Sequence, residues 1–232
     1  ILHGLVLESY GMVKDFNIDG SGQLSVLTSD KLGNQDWGIF DVQRNDPEFV
    51  QYAEHNMWPY IKMYSFADEL KRICVELFDI PPECVYGTDD QKNCVQDHIL
   101  WENMPKYQMD MSTKPPSTKL GPMTAREFLQ FFGTDICRNI FEPIWVNSCI
   151  NKIKREQSEI AVVPDVRFPN EAKAIEDAGG VVIRLTREVF DDKHSSELAL
   201  NDYPFTDYID NKDNSIESLM VKVKKFYRNL KE

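Results

Sequence analysis

The chain has 232 residues, of which 42% are hydrophobic and 28% are charged, a composition typical of a soluble globular protein and long enough for one sizeable α/β domain. Its formal net charge of −12 argues against a general nucleic-acid groove and against binding to an anionic membrane surface. The sequence contains no apolar run long enough to span a bilayer and no signal peptide with a basic start. We therefore expect neither nucleic acid nor a membrane as a partner, although a few local Arg and Lys residues suffice for a small phosphorylated ligand.

Hydrophobic periodicity and turn signals divide the chain into a series of short elements. In chain order they are a helix over 1–10, a hairpin within 13–59, a helix over 46–57, a strand over 60–65, a helix over 68–78, a long loop or lid over 89–121, a helix from 124 to 133, a helix over 143–156, a strand over 160–163, a helix over 170–178, strands over 181–185 and 208–210, and a helix over 215–230. The alternation of strands and helices in the last part predicts an α/β fold.

Three local signals fix parts of this pattern. Gly11 is placed to close the first helix, and the turn Asp19-Gly20-Ser21-Gly22 separates two strand-like pieces and so predicts the hairpin. Thr124 and Glu127 have the spacing of a capping box, and the helix that they start is expected to stop at Gly133. The strands on either side of the 170–178 helix are expected to be parallel, with a right-handed crossover between them.

The five cysteines are odd in number and scattered along the chain. They are Cys74, Cys84, Cys94, Cys137 and Cys149. No Cys-x-x-Cys pair is present and no His stands at zinc-finger spacing. This pattern indicates a reducing, cytoplasmic environment, in which Cys74 and Cys149 are expected to serve as small core residues.

The segment Pro-Asp-Val-Arg-Phe-Pro-Asn-Glu at 164–171 follows directly on a predicted buried strand. In an α/β sheet, ligands bind beyond the carboxyl ends of the strands. Asp165 could hold a hydrated metal ion or accept a hydrogen bond from a sugar hydroxyl, and Arg167 could grip a phosphate with its planar guanidinium. The alternative is a structural Asp–Arg pair that caps the next helix, and the motif by itself leaves both possibilities open.

Several motifs recur in an ordered set that resembles a known family. They are Tyr64-Ser-Phe-Ala-Asp68, Lys71, Val85-Tyr-Gly87, the segment 123–135, Trp145-Val-Asn147, the segment 164–171 and His194-Ser-Ser-Glu197. Together they resemble the deoxynucleoside monophosphate kinases of tailed bacteriophages, within the P-loop nucleoside-kinase superfamily, from about Tyr64 to the C terminus. The resemblance implies a three-layer α/β fold around a parallel sheet, in one kinase-like domain over 1–232 with 13–59 as an insertion.

The resemblance also implies an activity and its partners. The activity is transfer of the γ-phosphoryl group of ATP, with Mg²⁺, to a deoxynucleoside monophosphate to give the diphosphate. Such a reaction depends on positioning and on neutralising phosphate charge rather than on a covalent catalyst. A homodimer is compatible with the resemblance, and a phage-encoded protein would work in the host cytoplasm.

Roles for individual residues follow from their places in these motifs. Leu70 and Lys71 are expected near the substrate, and Lys92 is expected on the side of its phosphate. The substrate site is expected to be shaped by Arg126, Gly133 and Thr134, with Trp145 packed against the base. Contacts with the nucleotide are expected from Asp165, Arg167 and Glu171, of which Asp165 and Arg167 form the catalytic pair. Each also has a structural alternative: Arg126 as a solvated charge, Trp145 as a core aromatic residue and Gly133 as a helix cap. His194 is assigned no catalytic role.

The ATP-binding loop of this superfamily, Gly-x-x-x-x-Gly-Lys-[Ser/Thr] or a close variant, is missing from the sequence. Gly20-Ser-Gly22-Gln23 lacks the lysine and lies in a predicted turn between strand-like pieces. We therefore expect the first strand, the loop and its lysine to precede Ile1, as the start at a residue other than Met also suggests. Without that cradle the β- and γ-phosphates have no site, and this polypeptide is expected to be a poor kinase or inactive.

Two other functions remain open. One is a related P-loop kinase that phosphorylates a modified base or nucleotide in DNA hypermodification, although the acidic charge disfavours a substrate the size of DNA. The other is not an enzyme but a nucleotide-binding or interaction module that lacks a P-loop.

Overall fold

The computed structural model describes residues 1–44, 46–105, 119–186, 199–212 and 215–230. The strands are β1 (Asp15–Ile18), β2 (Leu24–Ser29), β3 (Gln35–Ile39), β4 (Ile61–Met63), β5 (Val95–Leu100), β6 (Pro122–Thr124), β7 (Ile160–Val162), β8 (Ile183–Leu185) and β9 (Asp207–Ile209). The α-helices are α1 (Leu2–Ser9), α2 (Pro47–Asn56), α3 (Asp68–Phe78), α4 (Pro82–Tyr86), α5 (Asp89–Lys92), α6 (Ala125–Gln130), α7 (Ile144–Glu156), α8 (Pro169–Asp177) and α9 (Ile216–Leu230). A 3₁₀ helix covers Trp101–Asn103 and a π-helix covers Phe131–Arg138.

The chain forms two compact units. The first contains residues 1–65 and 150–232, and the second contains residues 66–149. Each unit buries a hydrophobic cluster of its own. A mixed α/β fold is therefore confirmed, whereas the single kinase-like domain over 1–232 stays a prediction.

The predicted hairpin is the first part of a three-stranded antiparallel sheet in which β2 pairs with both β1 and β3. Two aspartates build its turns. Asp19 Oδ1 accepts hydrogen bonds from the backbone N–H groups of Ser21 and Gln23, both at 2.9 Å, and Asp30 Oδ1 accepts from those of Leu32 and Asn34, both at 2.8 Å. This sheet confirms the hairpin within 13–59, while the role of that segment as an insertion stays a prediction.

Helix α1 is tied to this sheet by close packing. Val6 and Leu7 of α1 are almost completely buried, and they share one hydrophobic cluster with Phe16 of β1 and Val26 of β2. A Cβ atom on Gly4 would lie 2.3 Å from Cδ2 of Phe16, so only glycine lets the Phe16 ring lie this close to the helix. Gly11, at φ +70°, follows the end of α1 as predicted.

The expected parallel sheet is present as two separate pairs of parallel strands in the first unit. Strand β4 pairs with β7, with Ile61 opposite Ile160, and β8 pairs with β9, with Ile183 opposite Asp207. Among the described residues no ladder joins β7 to β8, although α8 connects them in sequence. Parallel pairs of short strands are therefore present, but the parallel arrangement of the two strands on either side of α8 and the continuous three-layer sheet stay predictions.

A cavity of about 1030 Å³ runs along both pairs of strands. Its lining includes residues of β7 and β8, namely Ile160, Ala161, Val162, Ile183, Arg184 and Leu185. Leu2, at the start of α1, also lines it. Since each of these two strands is paired along one edge only within the described chain, backbone hydrogen-bonding groups remain available beside the cavity.

The second unit is built around a filled aromatic and aliphatic core. Cys74, Val85 and Met123 are completely buried in one cluster. The ring of Phe128 lies 4.7 Å from that of Phe78 in an edge-on contact and 5.6 Å from that of Phe132, to which it is nearly parallel. Burial of rings and aliphatic side chains on this scale is the main source of stability for the unit.

The prediction of a long loop over 89–121 is wrong for the part of this segment that the structure describes. Residues 89–92 form α5, and β5 pairs in antiparallel fashion with β6. Within β5 only Gln96 and Ile99 are buried. Most of its side chains are polar or exposed, so the hydrophobicity pattern of the sequence does not indicate a strand here. Residues 106–118 lie outside the described residues, and the lid proposed there stays a prediction.

A disulfide bond joins Cys84 to Cys94 and closes a short loop that contains α5. Nothing in the cysteine spacing predicts this bond, because the contact depends on how α4 and β5 are folded together. The expectation that the cysteines are all reduced is therefore wrong for this pair. Cys74 and Cys149 are buried as predicted, and burial raises the pKa of the Cys74 thiol to about 12.

Candidate functional site

A half-buried carboxylate, that of Asp165, lies at the carboxyl end of the β4–β7 pair. Because these strands are parallel, the residues that follow them emerge at the same edge, and the ladder continues with Tyr64 N–H donating to the Val162 carbonyl at 2.8 Å. Just beyond, Ser65 Oγ donates to Asp165 Oδ2 at 2.6 Å. The other oxygen, Asp165 Oδ1, is buried and has no hydrogen-bond partner among the described residues. A buried acceptor without a partner is costly, so this oxygen is suited to an incoming hydroxyl, amine or water.

Glu171 serves first as the cap of α8. Its Oε2 accepts from the backbone N–H groups of Arg167 at 2.8 Å and Phe168 at 3.1 Å, and the residue is only 4% exposed. Pro169 at the first helical position needs no such partner. The structural cap considered for this segment is therefore present, but Glu171 makes it, not Asp165. Arg167 is exposed and its side chain borders the cavity along β7.

In the second unit, Arg126 projects from the first turn of α6. The predicted capping box places it: Thr124 N–H donates to Glu127 Oε2 at 3.0 Å, and Glu127 N–H donates to Thr124 Oγ1 at 3.2 Å. Arg126 Nη2 donates to Asp89 Oδ1 at 2.8 Å, and Lys92 Nζ lies 3.9 Å from the same oxygen. Arg126 Nε is buried without a hydrogen-bond partner. Two cations thus converge on one carboxylate, as they would on a phosphate.

Gly133 and Thr134 lie within the π-helix, so the prediction that the helix stops at Gly133 is wrong. Gly133 is buried and does not adopt the left-handed conformation of a glycine cap. Its small size matters instead, because a Cβ atom there would lie 2.6 Å from Cδ2 of Leu70. Trp145 Nε1 donates to the Gly133 carbonyl at 3.0 Å. Irregular π-turns of this kind are frequent at functional sites.

Trp145 and Lys71 each have a structural partner. Trp145 is only 5% exposed and is held by its hydrogen bond to Gly133, so its described contact is that of a core residue. Lys71 Nζ lies 5.3 Å from the centre of the Tyr86 ring, a distance that allows a cation–π interaction. Thr134 is exposed. Contact of these residues with a nucleotide stays a prediction.

The predicted site residues are divided between the two units. Unit 2 contains Leu70, Lys71, Lys92, Arg126, Gly133, Thr134 and Trp145, and unit 1 contains Asp165, Arg167 and Glu171. Within unit 2 the structure brings Arg126 close to Lys92 through Asp89. Within unit 1 it joins Arg167 to Glu171 through the helix cap.

Three further residues belong to these groups although no role was predicted for them. Ser65 follows a strand just as Asp165 does, so the rule that ligands bind at the carboxyl ends of strands could have identified it. Asp89 stands one residue after Thr88, which with Gln91 has a recognisable capping-box spacing. Tyr86 belongs to the Val85-Tyr-Gly87 motif, but nothing in that motif indicates its contact with Lys71, which depends on tertiary packing.

Some features cannot be located in the structure. Within the described ranges no three or more His, Cys, Asp or Glu side chains are grouped so as to hold a metal ion, and no helix has both the length and the apolar character needed to cross a bilayer. The His194–Glu197 motif lies outside the described residues.

Comparison with known proteins gives two matches. Residues 76–223 match the family model described as deoxynucleotide monophosphate kinase. The chain is also 31% identical, over 153 residues, to a protein of Acanthamoeba polyphaga mimivirus that is named, provisionally, as a deoxynucleotide monophosphate kinase. That alignment covers 59% of this chain and 67% of the viral protein. The matched segment 76–223 contains every predicted site residue except Leu70 and Lys71.

Proposed function

The chain belongs to the deoxynucleotide monophosphate kinase family, and on that premise we propose that it binds the acceptor nucleotide in the transfer of the γ-phosphoryl group of ATP to a deoxynucleoside monophosphate. The observation that carries this proposal is the convergence of Arg126 and Lys92 on one anionic group in unit 2. Phosphoryl transfer requires such convergent cations because the acceptor phosphate must approach a second polyanion.

The cations of unit 2 bind and orient the acceptor phosphate. Arg126 offers a planar guanidinium whose Nε is buried and unpartnered, and Lys92 adds a more mobile point charge. The cap formed by Thr124 and Glu127 fixes the first turn of α6, so the guanidinium starts from a rigid backbone. This arrangement reduces the conformational freedom that must be lost when the phosphate binds.

The carboxylate of Asp165 in unit 1 is suited to accept a hydrogen bond from a nucleotide, and it would also accept one from the hydration shell of a Mg²⁺ ion. Ser65 fixes one oxygen and leaves Oδ1 buried without a partner. A hydrated Mg²⁺ fits this oxygen, since Mg²⁺ in such enzymes is held by one or two carboxylates together with water and phosphate oxygens. When bound, the ion would neutralise phosphate charge. Arg167, two positions after this carboxylate and exposed, supplies a positive charge to the transferring group.

The residues present do not fit the triphosphate of ATP. The sequence contains no Gly-x-x-x-x-Gly-Lys-[Ser/Thr] segment, so the β- and γ-phosphates of ATP have no phosphate loop to hold them in residues 1–232. We propose that polypeptide outside residues 1–232 supplies the phosphate loop together with a strand that enters the cavity along β7 and β8. The unpaired edges beside that cavity support this idea, because a parallel strand there would join β4–β7 and β8–β9 into one parallel sheet.

A coupled phosphotransfer assay tests the proposal. The assay compares the polypeptide 1–232 with the parent protein, by which we mean a longer chain that contains residues 1–232 together with the proposed phosphate loop. Each is given ATP, Mg²⁺ and a panel that includes dTMP, dGMP and modified pyrimidine monophosphates. We expect the parent to convert at least one deoxynucleoside monophosphate to its diphosphate, and the polypeptide 1–232 to be inactive or much slower. A parent that phosphorylates none of them would refute the proposed activity.

A nucleotide-binding module without catalysis is the second candidate. The missing phosphate loop favours it, because the cation pair of unit 2 can bind a nucleotide phosphate without transferring a phosphoryl group. Calorimetric titration of 1–232 with a deoxynucleoside monophosphate, combined with an inactive parent, would select this function.

A further inference from the structure

Asp89 is held in place by a second capping box. Thr88 N–H donates to Gln91 Oε1 at 2.8 Å, and Gln91 N–H donates to Thr88 Oγ1 at 3.3 Å. These bonds fix the short helix α5, of which Asp89 is the first residue. The disulfide between Cys84 and Cys94 closes the loop that contains this helix. Asp89 is therefore presented from a constrained backbone although it lies on the surface.

The carboxylate of Asp89 occupies the position between the two cations assigned to the substrate phosphate. Its Oδ1 lies 2.8 Å from Arg126 Nη2 and 3.9 Å from Lys92 Nζ. The Asp89 side chain is 83% exposed, whereas those of Arg126 and Lys92 are 38% and 30% exposed. Hydrogen bonding and charge from Arg126, followed by the charge of Lys92, lower the pKa of Asp89, so the group stays ionised at neutral pH. An exposed ion pair of this kind is weak and readily exchanged.

The hydrogen bonds that Asp89 makes leave Arg126 incompletely satisfied. Asp89 Oδ1 accepts a hydrogen bond from Arg126 Nη2, and the Asp89 backbone carbonyl accepts one from the same nitrogen at 3.4 Å. The neighbouring donor, Arg126 Nε, is buried and has no hydrogen-bond partner within the part of the chain that the structure describes. A phosphate monoester has three terminal oxygens and two negative charges near neutral pH, so it can contact Nη2 and Nε together. It is thus a better partner for Arg126 than the carboxylate that is present.

We propose that Asp89 is a specificity-determining residue that competes, within the molecule, with the phosphate of the substrate for Arg126 and Lys92. A dianionic phosphate monoester displaces the carboxylate, whereas a singly charged anion competes with it poorly. This inference rests on the proposed function only for the identity of the nucleotide that carries the phosphate. The displacement itself follows from the geometry of the three side chains.

Binding of small probes to the 232-residue chain tests the competition. Dissociation constants are measured by calorimetry for inorganic phosphate, dGMP, dTMP and the uncharged nucleoside deoxythymidine. In Asp89→Asn we expect phosphate and both monophosphates to bind roughly three- to fivefold more tightly, the size typical of losing one exposed ion pair, with no change for deoxythymidine. Asp90→Asn is the matched control, since it removes the same charge from the next residue of α5 and should leave all four constants unchanged.

Repeating the Asp89→Asn measurement in a protein whose Arg126 is already substituted distinguishes competition for Arg126 from a general effect of charge. In Arg126→Ala the Asp89→Asn substitution should tighten binding much less, because most of the competition acts through the guanidinium. Arg126→Gln serves the same purpose if Arg126→Ala does not fold, since it also removes the charge. Equal or weaker phosphate binding in Asp89→Asn, an equal gain in Asp90→Asn, or the same gain in the Arg126→Ala background would each overturn the inference.

The outcome is independent of the kinase assay. Tighter phosphate binding in Asp89→Asn combined with a parent that phosphorylates no monophosphate would support the competition and refute the proposed function. An active parent whose Asp89→Asn form has unchanged KM and kcat, together with unchanged binding, would retain the function and refute the competition.

Discussion

The two units hold their candidate residues in different ways. Unit 2 has a filled core in which Phe78, Phe128 and Phe132 pack on one another, and its cations project from capped helices. Unit 1 carries Asp165 and Arg167 on a loop after β7, beside a cavity of about 1030 Å³. We infer that the cations of unit 2 are preorganised for an anion, whereas the loop of unit 1 borders a cavity that a ligand or further polypeptide can enter.

The largest expected difference concerns truncation of a buried isoleucine in each unit. Ile80 is 1% exposed in the filled core of unit 2, whereas Ile209 of β9 is 8% exposed and borders the cavity of unit 1. We expect Ile80→Ala to lower the free energy of unfolding by about 3–5 kcal/mol, and Ile209→Ala by about 2 kcal/mol or less, because less new empty volume is created beside an existing cavity. Denaturant unfolding measures both, with the exposed Leu77→Ala as control. Equal losses would remove the contrast between the units.

The next effect concerns catalysis by the parent protein. Arg167→Ala is expected to lower kcat/KM for the monophosphate by roughly 10²-fold, or about 2.7 kcal/mol of transition-state stabilisation, since it removes a charge proposed to act on the transferring group. Lys173→Ala is the control in the same unit, because Lys173 forms an exposed pair with Asp177 on α8. A folded Arg167→Ala protein with unchanged kinetics would refute the assigned role.

A third effect distinguishes the structural role of Glu171 from its proposed contact with the nucleotide. Glu171→Ala leaves two backbone N–H groups at the start of α8 without their acceptor and should destabilise unit 1 by about 2 kcal/mol. Glu171→Gln keeps an acceptor and should recover most of this loss. Asp177→Ala, at the exposed end of the same helix, should cost far less. If Glu171→Gln is stable but binds nucleotide weakly, the residue has both roles; a stable Glu171→Ala would contradict the cap.

The smallest effect is the pH dependence of the cap in unit 2. Burial alone would raise the pKa of Glu127, but hydrogen bonds from Lys119 and the Thr124 backbone outweigh it and lower the pKa below 4.5. The carboxylate therefore contributes stability that is present above about pH 4.5 and is lost as the pH falls through the lower value in the folded state.

Melting temperatures at pH 7 and near pH 3 test this prediction. Glu127→Gln should lose less stability than the wild type on acidification, and Glu83→Gln on α4 should behave like the wild type. Identical losses in Glu127→Gln and the wild type would show that the cap does not titrate as described.

The elements that could be predicted from the sequence are those with local causes. Helix α3 spans 68–78 as its apolar spacing indicates, and the Thr124–Glu127 capping box is formed as its spacing requires. The hairpin follows from the turn residues at Asp19 and Gly22. In each case the residues that decide the structure are within a few positions of one another, so a pattern in the chain is sufficient.

The features that could not be predicted depend on residues far apart in the chain. Strand β5 is defined by pairing with β6, across more than twenty positions, and Gly133 is required by the side chain of Leu70 rather than by a helix end. The pairing of Asp89 with Arg126 spans 37 positions. The cations of the candidate site were therefore predicted, but not the carboxylate that lies between them.

The contact between Gly4 and Phe16 makes the segment 13–59 a permanent part of the protein rather than a removable appendage. The ring of Phe16 lies where a side chain on Gly4 would have to be, and α1 shares its hydrophobic cluster with β1 and β2. Deleting the three-stranded sheet would expose the buried side of α1, which carries Leu5, Val6 and Leu7, to water. An engineer seeking a minimal enzyme would thus have to redesign α1 together with this segment, and exchange between related proteins should transfer both as one block.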